Sequence, residues 1–540
     1  MDCVELSRRL PLGESSFPGL RRLSKIYVDK TDLIYALAAD VQKVFLARPR
    51  RFGKSLLVST FESLFRYGLR DFKGLAIEKK WRDAGRYSVV HLDFSNVKKF
   101  ADIQEFRGKL NAYVRFAFAN AGFEFPREWE TTALNFMSWV SQREPQSVVL
   151  LIDEYDAPLT AKLNEPELFN AVRDELFEFY SVLKSQAGFF RFVFMTGITK
   201  FSQTGIFSEL NDFSDISLSR TYAALLGYTQ SEIESCFGEH IASVAAKLGI
   251  SSGQVLAKLA ENYDGYCFDG LSGEAHDPVR VYTPWSVLKF LSSPEDGFKN
   301  YWMTSGGKAQ ILTQYFKDHA LKSPEEYGQD KLIPYADLDG SSDLDTINDV
   351  ALLTQAGYLT IKSRASRTSL LVGYPNREVS ESMAALYTNM LLRQKTVDEA
   401  GAVGFSTGLQ RGDVSCVMQE INKVFLAINY ERYPVRSESA VQACLQVFAA
   451  GAGFRTMVEK HNALGRSDLE IEAGDFRWVV ELKFLPASEA EAEAQRLLEM
   501  AAEQMMSRRY GEEGGGKLVR VAAVFSEAQR QFTHWRAVGR

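Results

Sequence analysis

No two cysteines in this 540-residue chain stand in C-x-x-C spacing, and the five present, Cys3, Cys236, Cys267, Cys416 and Cys444, are scattered, as are the six histidines. Zinc-ligand spacing and a disulfide framework are thereby excluded, and the odd, dispersed set points to reduced thiols in a cytosolic compartment. No apolar run approaches the ~18 residues that would announce a membrane span. The opening MDCVELSRRLPLG lacks an apolar signal core, so a cytoplasmic location is the expectation. Low-complexity tracts are missing too, and a chain 46% hydrophobic and 24% charged is expected to fold. A large excess of basic charge is also lacking: 63 Lys and Arg face 69 Asp and Glu, a net charge of -6. Any nucleic acid would therefore bind at a local basic patch rather than over the whole surface. The length implies several domains, roughly two to four.

What is present first is an alternation of strands and helices. VQKVFLA (41–47), YSVVHLDFS (87–95), QSVVLLIDEYD (146–156) and FFRFVFMTGIT (189–199) are continuous apolar runs. Between them lie helical patterns at 55–65, about 101–121 and about 166–186. Buried strands separated by helices imply a parallel sheet covered on both faces. From about 225 helices dominate, beginning with a capping box at Thr229 and Glu232. A second α/β pattern starts near 430: a helix over SAVQACLQVFAAGAG, strands SDLEIEA and RWVVELKFL, a long charged helix (488–509), the strand KLVRVAAVFS and a final helix. The expected domains are 1–225, a mostly helical connector at 226–428, and 429–540.

The stretch 41–65 holds what a phosphate-binding loop needs: a strand, a tight turn and a helix whose positive end faces the anion. The sequence ARPRRFGKSLL ends as such loops do, in Gly53, Lys54 and Ser55, but has Arg48 where the general pattern has glycine. Lys54 is expected on the β- and γ-phosphates and Ser55 on Mg²⁺. The partner signal is VVLLIDEYD, an apolar strand running into Asp153 and Glu154. Asp153 is placed to hold Mg²⁺, and Glu154 to polarise an attacking water as general base. Thr196, ending a third strand, either contacts the γ-phosphate or attacking water or caps its strand. Arg50, Arg51, Phe52 and Leu56 complete the expected nucleotide-contacting loop. The two arginines either add charge beside the triphosphate or pair with acidic residues, and Pro49 stiffens the turn. Arg220 is a candidate arginine finger.

KIYVDKTDLI, FLARPRRFGKSLL, LLIDEYDAPL, TGITKFSQTGIFSELNDFSDIS and YDGYCF…VYTPWSVLKFL together resemble the AAA-ATPase-like family of bacterial proteins over most of 20–310. That family's loop typically reads R-P-R-R-F-G-K-S, so Arg48 fits its pattern. The resemblance implies a P-loop NTPase fold, ATP as ligand, a nuclease-type domain at the C-terminus of many members, and Tyr27, Val28, Asp29 and Lys30 near the nucleotide base.

The C-terminal stretch GRSDLEIEAGDFRWVVELKF places Asp468 on one strand and Glu481 and Lys483 two apart, on one face of the next. Two carboxylates can hold Mg²⁺ or Mn²⁺, and a lysine can orient water or stabilise a developing anion. This resembles the PD-(D/E)xK nuclease superfamily, whose restriction-endonuclease-like α/β core runs helix–strand–strand–strand–helix–strand. Glu438 and then Glu459 are candidates for the glutamate that members often add from the first helix. Gln504 and Tyr510 resemble groove-lining positions. Arg508, Arg509, Lys517 and Arg520 either contact phosphate or form a solvated face. The aromatic stretches YDGYCFDG and VYTPWSVLKFL fit core packing better than base stacking.

The expected activity is therefore an ATPase module that controls or powers a metal-dependent nuclease, with nucleic acid, DNA first, as partner, no membrane, and a homo-oligomer as one possible state. The alternative is a regulatory NTPase switch whose nuclease-like domain only binds nucleic acid or protein.

Overall fold

Apolar runs become strands because only strands buried on both faces need them. In a computed structural model describing residues 8–125, 129–200, 212–271, 277–302, 324–339, 348–392, 401–462, 465–512 and 515–539, with the backbone alone for 459–462 and 465–466, the chain forms two compact units. The first comprises Met1–His319 with Asp330–Glu378, the second Ala320–Gln329 with Val379–Arg540. The expected connector 226–428 is thus shared between them. Cys3, residues 201–211 of the quoted family block, most of the turn DLDGSSDLD and the side chain of Glu459 lie outside the described residues.

In the first unit the order is α1 (Thr31–Asp40), β1 (Lys43–Ala47), α2 (Lys54–Tyr67), β2 (Ser88–Asp93), α3 (Ile103–Asn120), β3 (Val148–Asp153), α4 (Pro166–Ser185), β4 (Phe190–Gly197) and β5 (Ser214–Asp215). The five strands pair in parallel in the order β2-β3-β4-β1-β5. β1 and β3 are buried at every position. Successive residues of a strand face opposite sides. Leu150, Ile152, Val193 and Met195 therefore meet Leu110, Val114, Leu176 and Phe179 of α3 and α4. On the other side Phe61 and Phe65 of α2 pack against Phe192, and Phe61 also against Phe194. The carboxyl ends of β1 and β3 lie two strands apart, and β1 runs into the turn that starts α2.

Beyond the sheet come α5 (Gln230–Leu248), α6 (Ser252–Tyr263) and α7 (Pro284–Ser292), which share a core through Ile233, Phe237, Val255, Leu259, Val287 and Phe290. The expected capping box is present, with Thr229 Oγ1 accepting from Glu232 N and Glu232 accepting from Thr229 N. Besides helices, this region carries a three-stranded antiparallel sheet. Its strands are β6 (Lys331–Pro334), β7 (Thr360–Ser366) and β8 (Ser369–Gly373), ordered β6-β8-β7.

α8 (Arg377–Leu391) follows, then α9 (Ala402–Arg411) and α10 (Val414–Ala427). The rest of the second unit runs α11 (Glu438–Gly451), β9 (Arg455–Asn462), β10 (Gly465–Ala473), β11 (Phe476–Leu485), α12 (Glu493–Ser507), β12 (Lys517–Ser526) and β13 (Gln531–Ala537). The strands line up in chain order, with only β11 and β12 parallel. α12 buries Ala494, Leu498, Ala501, Ala502 and Met505, a helical stripe, against Val479, Leu485, Ala522 and Val524. The expected final helix is instead β13. Arg530, at φ 53, turns the chain, and Gln531 to Ala537 return antiparallel to β12. Phe532 inserts beside Phe425 and Phe525. A short tail rich in Phe, Thr and Trp gains more from an open sheet edge than from an isolated helical turn.

Candidate functional site

The turn after β1 is shaped by two left-handed residues, Arg51 at φ 70 and Gly53 at φ 98, and α2 starts directly after Gly53. Such a turn directs backbone N–H groups into one concavity at a helix N-terminus, which suits an anion. Lys54 Nζ is buried and donates to the carbonyls of Arg48 and Pro49 at 2.9 and 3.0 Å. Ser55 Oγ donates to Asp153 Oδ2 at 2.6 Å, so the helix start and the end of β3 are joined through the two side chains expected around Mg²⁺. Asp153 Oδ1 also accepts the Glu154 amide, and Glu154 takes a left-handed φ of 48, which turns the chain sharply out of the strand. Burial lowers the affinity of Lys54 for its proton, against the pull of Asp153, Asp156 and Glu154. Burial likewise raises Asp153 and Glu154 above the usual carboxylate range, against Ser55 and Lys54 for the first and Lys54 for the second.

The arginines of the loop differ in placement. Arg48 is almost wholly buried. Its Nη1 donates to the carbonyls of Ala47 (3.0 Å) and Ser217 (2.6 Å), and its guanidinium lies 4.1 Å from the Phe268 ring centre. Burial pulls its pKa down to about 9, with Asp215 opposing. It braces the loop from behind. Arg51 is exposed and stacks over Trp285 at 4.2 Å, and the carbonyl of Arg50 accepts from Trp302 Nε1 at 3.2 Å. Phe52 is buried edge-on to Tyr266 and Phe268, so YDGYCF packs as core.

A cavity of about 560 Å³ opens over the loop, lined by Arg50 to Leu57 and by Glu154. Tyr27, Val28 and Lys30, from the segment that the resemblance sets near the base, share it with Ile26, Tyr228 and Trp285. Lys30 Nζ is held by Glu232 at 2.6 Å. Asp29 accepts from Thr31 N at the start of α1. Thr196 is not brought to this cavity: it is fully buried, and its hydroxyl donates to Leu46 O at 2.6 Å inside the sheet, the strand-bound alternative. Arg220 is paired with the buried Asp269 at 2.6 Å.

In the second unit β10 and β11 part where Asp468 Oδ2 accepts the Leu482 amide at 2.7 Å. Glu481 and Lys483 share one face: Lys483 Nζ lies 3.2 Å from Glu481 Oε1 and 3.6 Å from Glu438 Oε1. Glu438 reaches the cluster because Ser437 caps α11 and sets Glu438 in its first turn. Glu481 Oε2 is buried with no hydrogen-bond partner. Burial, with Asp468 beside it, pushes the Glu481 carboxyl up to about 7. Burial works against the Lys483 ammonium, yet Glu481, Glu438 and Asp468 together raise it. Gln504 Nε2 and Arg508 Nη1 both reach Tyr510 Oη, at 3.4 and 3.1 Å. Arg520 Nε donates to Tyr510 O, which turns it inward rather than to a surface patch. No group of three or more His, Cys, Asp or Glu side chains is gathered for a metal among the described residues.

Sequence reasoning missed Asp156, whose Oδ2 accepts from Ile198 N, Thr199 N and Thr199 Oγ1 and ties the ends of β3 and β4 together. It also gave no role to Trp302 or Glu378. The second aspartate in DEYD was a signal for Asp156; nothing local marks the other two.

Residues 11–207 match the family described as predicted AAA-ATPase, and residues 436–535 match the PD-(D/E)XK nuclease superfamily. Both domains are present in the chain. A relative from Azotobacter chroococcum mcd 1, described as an uncharacterized protein in the vnfD 5' region, is 27% identical over 504 residues, 91% of this chain and 92% of its own. Among the described residues no helix is long and apolar enough to cross a membrane.

Proposed function

We propose that this chain, an AAA-ATPase-like domain joined to a PD-(D/E)XK nuclease superfamily domain, binds and hydrolyses ATP to control or power a metal-dependent nuclease acting on nucleic acid, with DNA as the first substrate to test. The observation that carries the first half is the Ser55–Asp153 hydrogen bond at the mouth of a left-handed turn holding Lys54. The cavity, the turn and the buried lysine fit a nucleoside triphosphate. Arg50, Arg51, Phe52, Gly53, Lys54, Ser55 and Leu56 would hold it, and Ser55 and Asp153 its Mg²⁺. In that arrangement Lys54 moves from its loop carbonyls to phosphate oxygens, and Glu154 takes a proton from water at the cavity wall. Thr196, bonded to Leu46 O within the sheet, would support the site from behind β1 and β4.

At the second site the buried, unpartnered Glu481 Oε2 fits a hard cation, with Asp468 as the second carboxylate. When bound, Mg²⁺ or Mn²⁺ supplies an acidified water and charge neutralisation at a phosphodiester. Lys483 would orient water or face the developing anion, and Glu438 beside it favours its charged form. One observation favours the alternative of a regulatory NTPase with a nuclease fold that only binds: no three metal-ligating side chains stand together among the described residues. The test is ATP hydrolysis and cleavage of single- and double-stranded DNA and RNA, with Mg²⁺ and with Mn²⁺, by the wild type and by Lys54→Ala and Asp468→Ala. Nucleotide turnover with no cleavage under either metal selects the alternative.

A further inference from the structure

Three consecutive residues of the phosphate loop are each held by a different distant stretch of the first unit. Pro49 lies against Gly357, a position at φ +90 where an added Cβ would stand 2.6 Å from Pro49 Cβ. The Arg50 carbonyl accepts from the buried Trp302 indole at 3.2 Å. Arg51 stacks on Trp285 at 4.2 Å. These contacts converge. The backbone N–H of Trp302 donates to Glu378 Oε1 at 2.8 Å, and Ser286, next to Trp285, donates its hydroxyl to Glu378 Oε2 at 2.8 Å. Glu378 is 1% exposed and sits in the first turn of α8, the helix in which the chain leaves the first unit for the second.

We infer that Trp302 and Glu378 are positioning residues that tie the state of the phosphate loop to the start of α8, so that nucleotide binding biases the helix leading to the nuclease-superfamily domain. This rests on the nucleotide reading of the loop. The element with two states is the loop itself. Lys54 clamps the carbonyls of Arg48 and Pro49, and a triphosphate competes for the same ammonium. Released from that clamp, the next carbonyl, Arg50, transmits its position through the Trp302 indole to that residue's backbone N–H and so to the Glu378 carboxylate. Ser286 and Trp285 make a parallel path from Arg51 to the same carboxylate. The buried Trp302, Ser286 and Glu378 shift together because none can move without leaving a polar group unpaired. Coupling then follows from the different contacts made in the two states.

The experiment is hydrogen exchange on the full chain with and without a slowly hydrolysed ATP analogue and Mg²⁺, following peptides over 47–57 and over 377–391. In the wild type both segments are expected to change, the helix peptides by roughly 5-fold or more in exchange rate. In Trp302→Phe and in Ser286→Ala with Glu378→Gln, loop peptides at saturating analogue still become protected while the helix response is lost. Loop protection with an unchanged helix in the wild type overturns this inference alone. A full wild-type response in both variants overturns it as well. Absence of loop protection overturns the nucleotide reading, and this inference with it. The wild-type comparison decides the matter even where a variant fails to fold.

Discussion

At the end of β3 the polar groups already satisfy one another: the Ser55 hydroxyl sits on Asp153, and the Lys54 ammonium on two loop carbonyls. At the parting of β10 and β11, one oxygen of Glu481 is buried without a partner while Lys483 rests against the other. Both sites set strand-borne carboxylates beside a lysine, but the first has internal partners that a ligand could replace and the second holds an unmet demand. An unmet buried carboxylate raises its own proton affinity, which is why Glu481 stands near 7. The difference teaches that the polar groups of the site proposed for nucleotide are satisfied internally, whereas the second site gains from whatever cation or proton reaches Glu481.

The largest effects are expected where that contrast is cut directly. Lys54→Ala is expected to lower ATP hydrolysis by about 10²–10³-fold, and Asp468→Ala to lower cleavage by a similar factor, the range seen when one group stabilising transition-state charge is removed. Asp468→Ala should leave hydrolysis intact; cleavage by Lys54→Ala then reads how far the two activities are coupled. Steady-state hydrolysis and gel-resolved cleavage check both. If Asp468→Ala cleaves as well as the wild type, the second site is not catalytic.

Next in size are two buried arginines, one in each unit. Arg48 has charge-assisted bonds to the carbonyls of Ala47 and Ser217 and a stacking partner in Phe268. Arg477 reaches the carbonyl of Gly511. Arg48→Ala is expected to cost about 2–4 kcal/mol, since it leaves two buried carbonyls less satisfied and a void behind the loop. Arg477→Ala is expected to cost less. Urea denaturation with both sites unliganded measures each, and an equal loss would mean that the loop is not braced by Arg48.

How much of this was legible follows from where each partner lies in the chain. The parallel sheet was readable because strands covered on both faces need unbroken apolar runs such as VVLLID, and the Ser55–Asp153 pair because each residue ends or follows such a run. The capping box at Thr229 was readable because its two residues are three apart. Arg48 was not: Ser217 and Phe268 lie some two hundred residues away, and only folding shows that its charge turns inward. At Thr196 a strand end permits either a phosphate contact or a cap within the sheet, and its bond to Leu46 O of the neighbouring strand is a partner that only folding shows. The tail after β12 was read as a helix because its pattern is short and ambiguous. An open sheet edge, invisible in sequence, decided it. Trp302 and Glu378 carried no local signal, since their roles come from converging on one another.

Smaller effects come from the helix caps. Thr229→Ala in the first unit and Ser437→Ala in the second each remove a side chain that accepts a backbone N–H, worth about 1 kcal/mol. The cap in the second unit also sets Glu438 beside Lys483. Ser437→Ala is therefore expected to lower cleavage as well as stability, whereas Thr229→Ala should lower stability alone. Melting curves paired with cleavage rates check this. Equal cleavage in the two variants would remove Glu438 from the cluster's function.

The smallest expected effect is a pH dependence confined to the first unit. His91 on β2 lies 3.1 Å from Glu62 on α2, which also accepts from Arg66 at 2.9 Å; Asp153 and Asp93 add negative charge to its surroundings. Burial works against the charged ring, but the Glu62 hydrogen bond and these carboxylates prevail, so the imidazole pKa is raised above 6.5. A base with a raised folded pKa contributes stability that is complete below the unfolded value and disappears as pH rises through the folded one. The deficit of His91→Gln relative to wild type should thus be greatest near pH 6 and fade as pH rises past the raised pKa. Its size should be about 1 kcal/mol or less, as the pair is partly exposed. Urea denaturation of both proteins across that range checks it. A deficit that grows with pH would mean that the ring is held neutral, and that the contact to Glu62 is a neutral hydrogen bond rather than an ion pair.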